Sequence, residues 1–160
     1  MSANTLPFEF GNRSSSTVHA ADLGNVYYAG SNAYRLVQNV TAALTTTARG
    51  CFVDETSATT LTFKTQALAG ATSAKCLGFV SPTQVSLAIG DFFLVQVAGI
   101  AVVTPVSTTT AGTGATTAAS GAVAVVTATF AAAVPATIIG TCLNTVAGAT
   151  GALIRMENLL

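Results

Sequence analysis

The single histidine of the chain, His19, stands three residues before Asp22 in a serine-rich N-terminal stretch. A His–Asp pair can activate a nucleophile only when rigid elements hold all three groups around a pocket. A segment reading Ser14-Ser15-Ser16 offers no such support. Three cysteines, Cys51, Cys76 and Cys142, show no C-x-x-C spacing, and with one histidine they do not make a tetrahedral metal site. They are expected to be reduced, buried and small-hydrophobic in role. The carboxylates are Glu9, Asp22, Asp54, Glu55, Asp91 and Glu157. Only Asp54 and Glu55 adjoin, and strand neighbours point to opposite faces, which makes a poor acid/base pair. Gly112-Thr113-Gly114 has neither a lysine nor a helix after it, so a phosphate cradle is not supported. Tyr27, Tyr28 and Tyr34 lie near Arg35, as in a platform for single-stranded nucleic acid. Cross-strand packing in a hairpin is the simpler expectation. Asn39-Val40-Thr41 is a formal glycosylation sequon. The residues therefore predict no catalytic, cofactor-binding or metal-binding site, and the chain is not expected to be an enzyme.

Composition points the same way. Of 160 residues 51% are hydrophobic and only 8% charged, against about 25% charged in an average soluble domain. Net charge is zero and mean hydropathy is +0.62. A nucleic-acid binder needs surplus Lys and Arg to neutralise phosphates, and none is present. From Phe92 to Ile154 no residue is charged. A surface so poor in charge is weakly protected against association, so the chain is expected to live in contact with protein neighbours and to oligomerise. Gly121–Gly140 is long enough for a bilayer span. It is interrupted by Thr127, Thr129, Pro135 and Thr137 and lacks basic flanks or an aromatic belt. Two neutral strands are expected there instead, and no membrane partner. The opening MSANTLPFEF has neither the basic nor the apolar region of a signal peptide.

The elements expected from the pattern are almost entirely strands. Residues 1–22 form an extended N-terminal arm in which Leu6, Phe8 and Phe10 alternate, so one edge can dock on something apolar: the arm either clasps a neighbouring subunit or is an edge strand of its own domain or partly disordered. Residues 23–160 form a single β domain. Val26–Ala29 and Ala33–Gln38 flank Gly30-Ser31-Asn32 as a hairpin. Thr41–Ala48 could pass for a short helix. Further strands are expected at 51–53, 61–66, 76–80, 92–97 continuing through a kink at Ala98-Gly99 to Val103, 122–130, 137–143 and 152–156. The low-complexity run TTTAGTGATTAASG, 108–121, is expected to be a flexible loop. Leu77-Gly78-Phe79-Val80 and Ile139-Gly140-Thr141-Cys142 echo each other, each with a glycine inside an apolar strand, the mark of a bulge or a close backbone approach. The fold class is all-β, a small β-sandwich or β-barrel with the arm attached.

The succession Asn25–Val37, Gly50–Val53, Leu77–Val80, Gly90–Gly99, Ile139–Leu143 and Ala152–Ile154 resembles the capsid decoration proteins of tailed bacteriophages, also called cement or auxiliary head proteins. The resemblance covers about residues 23–156 and lies in the style and order of segments. It implies a structural virion protein that binds the outer surface of an assembled capsid and stabilises the shell. Its partners would be the major capsid protein and itself, as a homo-oligomer, with three-fold symmetry as the implied form. It would be made in the host bacterial cytoplasm and reside on the capsid surface. Leu6, Phe8, Phe10, Tyr27, Tyr28 and Tyr34 are the candidate capsid or subunit contacts. The alternative is a head-fibre or adhesin-like module for a receptor or glycan, for which Tyr27, Tyr28 and Asn32 are the candidates. A β-barrel enzyme or small-molecule carrier is a third reading.

Overall fold

A computed structural model of the chain describes residues 5–39, 51–53, 64–66, 76–103, 105, 108–117, 123–126, 138–147 and 151–156. In chain order the strands are Arg13–Ser14 (β1), Val26–Ala29 (β2), Asn32–Asn39 (β3), Cys51–Val53 (β4), Lys64–Gln66 (β5), Cys76–Gly78 (β6), Phe92–Val103 (β7), Gly114–Thr117 (β8), Val123–Val126 (β9), Ile138–Cys142 (β10) and Ala152–Met156 (β11). A 3₁₀ helix at Thr17–Asp22 is the one helical element among the described residues. The fold is all-β. The stretch 41–48 lies outside the described residues.

The apolar run starting at Phe92 is long enough to serve two sets of partners, and β7 is the spine of the molecule. Its first half pairs antiparallel with β3, from Gln38 opposite Phe92 to Ala33 opposite Ala98. β3 in turn pairs parallel with β5, β5 with β4, and β4 with β6. Just past β6, Phe79 exchanges both backbone hydrogen bonds with Gln96, at 2.9 and 2.8 Å. Five strands thus close into a ring whose interior holds Ala33, Val37, Val80, Leu87, Phe93, Val95 and Val97. The second half of β7 pairs with β11, which continues through β10 and β8 to β9. This second sheet encloses Ala101, Val103, Ala115, Cys142, Ala152, Ile154 and Met156, together with Phe79. Gly99, with φ 96°, stands where β7 passes from one set of partners to the other.

The expected glycine echo is present in the backbone. Between β4 and β6 the register steps from Cys51–Gly78 to Phe52–Cys76, leaving Leu77 over. Between β8 and β10 it steps from Ala115–Gly140 to Thr116–Ile138, leaving Ile139 over. In each case the residue before the glycine is the bulge. A Cβ on Gly78 would stand 2.3 Å from the Gln96 carbonyl oxygen, and one on Gly140 would stand 2.3 Å from that of Arg155.

The described part of the run 108–121, residues 108–117, departs from the expected loop. Its residues 114–117 are β8, and Thr109 is fully buried, donating from Oγ1 to the Asn144 carbonyl (3.1 Å) and accepting from the Val146 amide (3.2 Å). Low complexity is a statement about composition. Threonine is β-branched and well suited to a pleated strand, and its hydroxyl can satisfy the backbone of a tight turn.

The N-terminal arm lies across the outer face of the ring. Leu6, Phe8 and Phe10 pack, with Leu23, on a cluster formed by Tyr27, Tyr34, Leu36, Phe92 and Leu94. Phe10 meets Tyr34 at a ring separation of 4.7 Å. His19 from the 3₁₀ helix sits between Phe8 (5.3 Å, edge-on) and Phe92 (5.9 Å). β1 pairs with the start of β7, the Gly11 carbonyl accepts from the Val85 amide (3.2 Å), and Arg13 forms an ion pair with Asp91. The arm therefore covers a face of its own domain, burying Phe92 and Leu94 on the side of β7 opposite the ring interior, where Phe93, Val95 and Val97 are buried.

Asp91 anchors this fastening. Its carboxylate is almost fully buried and accepts from the Ala88 amide (2.6 Å) as well as from Arg13, whose side chain is about half exposed. A buried carboxylate that loses its charge weakens both bonds, whereas the exposed partner contributes little on its own. Asp91→Asn is expected to cost about 2 kcal/mol and Arg13→Ala under about 1 kcal/mol. Urea unfolding of both variants checks this, and equal losses would show that the ion pair, not the turn at Ala88, is what matters.

Candidate functional site

Among the described residues, several groups able to do chemistry have structural partners. His19 is held between two phenylalanine rings, and the Asp22 carboxylate accepts from Asn25 Nδ2 at 3.2 Å. Cys142 is buried in the second core, and the side chains of Cys51 and Cys76 lie outside the described residues, as do Asp54, Glu55 and Glu157. Among the described residues no three His, Cys, Asp or Glu side chains gather as metal ligands. The Gly112 amide donates inward to the Cys142 carbonyl (2.8 Å). Asn39, first residue of the sequon, is fully buried with Nδ2 donating to the Ala88 carbonyl (3.1 Å), a position no glycan could reach. Among the described residues no helix is long and apolar enough to cross a membrane.

The six contact candidates separate by burial. Tyr27 and Tyr34 face each other across β2 and β3 and are buried under the arm. Leu6, Phe8 and Phe10 are the half-buried arm residues that cover them. Tyr28, 64% exposed, is the one of the six that faces solvent fully. The three tyrosines thus do not form a stacking platform. Burial pushes the Tyr27 phenol above its ordinary value near 10, and the Asp22 carboxylate raises it further, with a partial offset from Asn25. A phenol raised in the folded state is still neutral when the unfolded chain begins to ionise. Its contribution is therefore present below pH 10 and is lost as pH rises from there through the folded value. Tyr27→Phe is expected to flatten the fall in unfolding free energy between pH 9 and about pH 11, measured by urea titration at each pH. An unchanged slope would remove Tyr27 from the account.

The outer face of the sheet changes character along β7. Under the arm it is closed. Past Gly99 it opens, and β7 alternates exposed and buried from Ile100 to Val103. β11 does the same, with Leu153 and Arg155 outward. Leu153 stands opposite Val102 and Arg155 opposite Ile100, so the four side chains share one face. Ile100, Val102 and Leu153 are 47%, 41% and 37% exposed. Sequence reasoning missed this strip because Ile100-Ala101-Val102-Val103 is apolar at every position. The signal available lay in the partner strand, where Arg155 marks the outward face that alternates with buried Ala152, Ile154 and Met156.

No family model and no curated protein matches the chain. Among solved structures, the chain is similar to the N base of the head fiber protein gp8.5 of bacteriophage phi29. The TM-score is 0.53 at 12% identity, over 78% of this chain and 93% of the other. The likeness is one of fold.

Proposed function

We propose that the chain is a structural component of a tailed-phage head, bound to the outside of the assembled shell and stabilising it as a decoration protein. The observation that carries this is the shared fold with the phi29 head fiber base, which extends over nearly all of that structure. Composition adds to it independently. A neutral chain with 8% charged residues gains from neighbours that bury its surface, and symmetric head assemblies supply many identical ones. Its partners are then the major shell protein and further copies of itself, with a trimer as the form to test first.

The same neighbour favours a second reading, in which the chain is the attachment base of a fibre or a receptor-binding head appendage. The two separate experimentally. Purified protein is added to heads of its own phage stripped of it, and two quantities are read: cosedimentation, and the temperature at which the heads release DNA. A decoration role requires saturable binding together with a higher release temperature. Binding with no change in release temperature, accompanied by glycan or cell-surface binding, would replace the decoration reading by the second.

A further inference from the structure

The two halves of the sheet correspond position by position. Gly78 closes on the carbonyl of Gln96, and Gly140 closes on that of Arg155. Taking Gln96 as the counterpart of Arg155 makes Leu94 the counterpart of Leu153. The register across the ladder then matches Tyr34, opposite Gln96, with Ile100, opposite Arg155, and Leu36, opposite Leu94, with Val102, opposite Leu153. In the first half the set Tyr34, Leu36, Leu94 and Gln96 is at most 7% exposed; the arm closes over Tyr34, Leu36 and Leu94, and Gln96 Nε2 donates to the Ala98 and Ile100 carbonyls. In the second half the matching set is exposed. Among the described residues there are two such faces and one arm, which covers the first.

We propose that Ile100, Val102, Leu153 and Arg155 form a docking strip for an extended segment of a shell protein, with alternating apolar side chains and a carboxylate beside them. This rests on the head-surface reading above. The strip is three apolar side chains across, far short of the roughly 800 Å² per partner that a stable globular interface buries. A narrow segment fits it better than the broad face of a second copy. Its make-up is the one seen on the first half, where Leu6, Phe8 and Phe10 face inward and Glu9 is exposed. Arg155 is the only charge in the strip, and an acidic residue on the incoming segment complements it.

The probe is a synthetic peptide of residues 5–14 of this chain, added to the full-length protein. The tethered arm holds the first face at an effective concentration in the millimolar range, so the free peptide reports on the second. Saturable binding is expected, with NMR shift changes centred on residues 100, 102, 153 and 155. Ile100→Asp combined with Leu153→Asp should weaken it at least tenfold. Arg155→Glu should weaken it too, with recovery when the peptide carries Glu9→Lys; being an exposed charge swap, it keeps the test open if the double variant fails to fold. On heads, the double variant should be retained at least tenfold less, with unchanged sedimentation of the free protein. Any of these results overturns the strip: no peptide binding to the parent chain, binding indifferent to these substitutions, or a changed oligomeric state in the double variant, which would make the strip a contact between copies. Equal retention of parent and variant on heads defeats the strip alone. A parent chain that does not bind heads at all defeats the head-surface reading itself.

Discussion

Gly140→Ala is expected to destabilise the protein by about 3 kcal/mol, and Gly78→Ala by a similar amount, the upper end of the usual range for overpacking. Neither glycine sits in the left-handed backbone region, so the requirement is one of space. The added methyl of Gly140→Ala meets the Arg155 carbonyl oxygen at 2.3 Å and Ile154 Cγ2 at 2.8 Å. That of Gly78→Ala meets the Gln96 carbonyl oxygen at 2.3 Å and the carbonyl carbon at 3.0 Å. The nearest obstructing atoms are backbone carbonyls, held by strand pairing on β11 and β7, and cannot swing aside as a side chain could. Gly112→Ala is the control, since a Cβ there meets nothing and the only cost is its φ of 83°, about 1 kcal/mol. Unfolding in urea should rank both sheet glycines well above Gly112. If either falls at or below the control, the close approach of its neighbouring strand is not a constraint on the fold.

Removal of residues 2–16 is expected to lower stability by about 4 kcal/mol, which for a chain of this length is a fall in melting temperature of about 10 °C. Leu6, Phe8 and Phe10 together would lose several kcal/mol of apolar burial, part of which is offset by the chain entropy the arm no longer gives up. The truncation also removes β1 and the Arg13–Asp91 ion pair, and it uncovers Tyr34, Leu36, Phe92 and Leu94 at once. A contiguous apolar face of that kind invites aggregation, so the truncated chain should bind a hydrophobic dye and lose solubility. Scanning calorimetry decides the matter. A melting temperature within about 2 °C of the parent would show that the arm rests on the sheet without stabilising it, and would return Leu6, Phe8 and Phe10 to the role of free contacts.

Strand positions were readable where β-branched and aromatic residues cluster between turn residues. The hairpin around Gly30, the run from Phe92 and the short strands at 51–53, 138–142 and 152–156 all follow that pattern. The glycine echo was readable as a local motif. Its meaning was not, because a bulge and a carbonyl contact depend on which strand lies alongside, and pairing partners far apart in sequence leave no trace in local composition. The arm shows the same limit. Alternation of Leu6, Phe8 and Phe10 says that one edge is apolar, yet a chain's own sheet and a neighbour's sheet satisfy such an edge equally well. The 108–121 segment was hidden differently: alanine, glycine and threonine are compatible with loop and strand alike, and the buried Thr109 hydroxyl is visible only once Asn144 and Val146 are beside it.

Phe92–Val103 forms a wall of both cores, and the adjacent residues just past β6 divide in the same way, Phe79 entering one core and Val80 the other. Neither half can therefore melt while leaving its neighbour's interior dry. The molecule should lose its structure in one concerted step, with calorimetric and van't Hoff enthalpies in agreement. Amide protons along the whole of this strand should exchange only through global opening, including those beside the exposed Ile100 and Val102. Load applied to one half would then pass directly into the other, and the molecule would yield as a single unit.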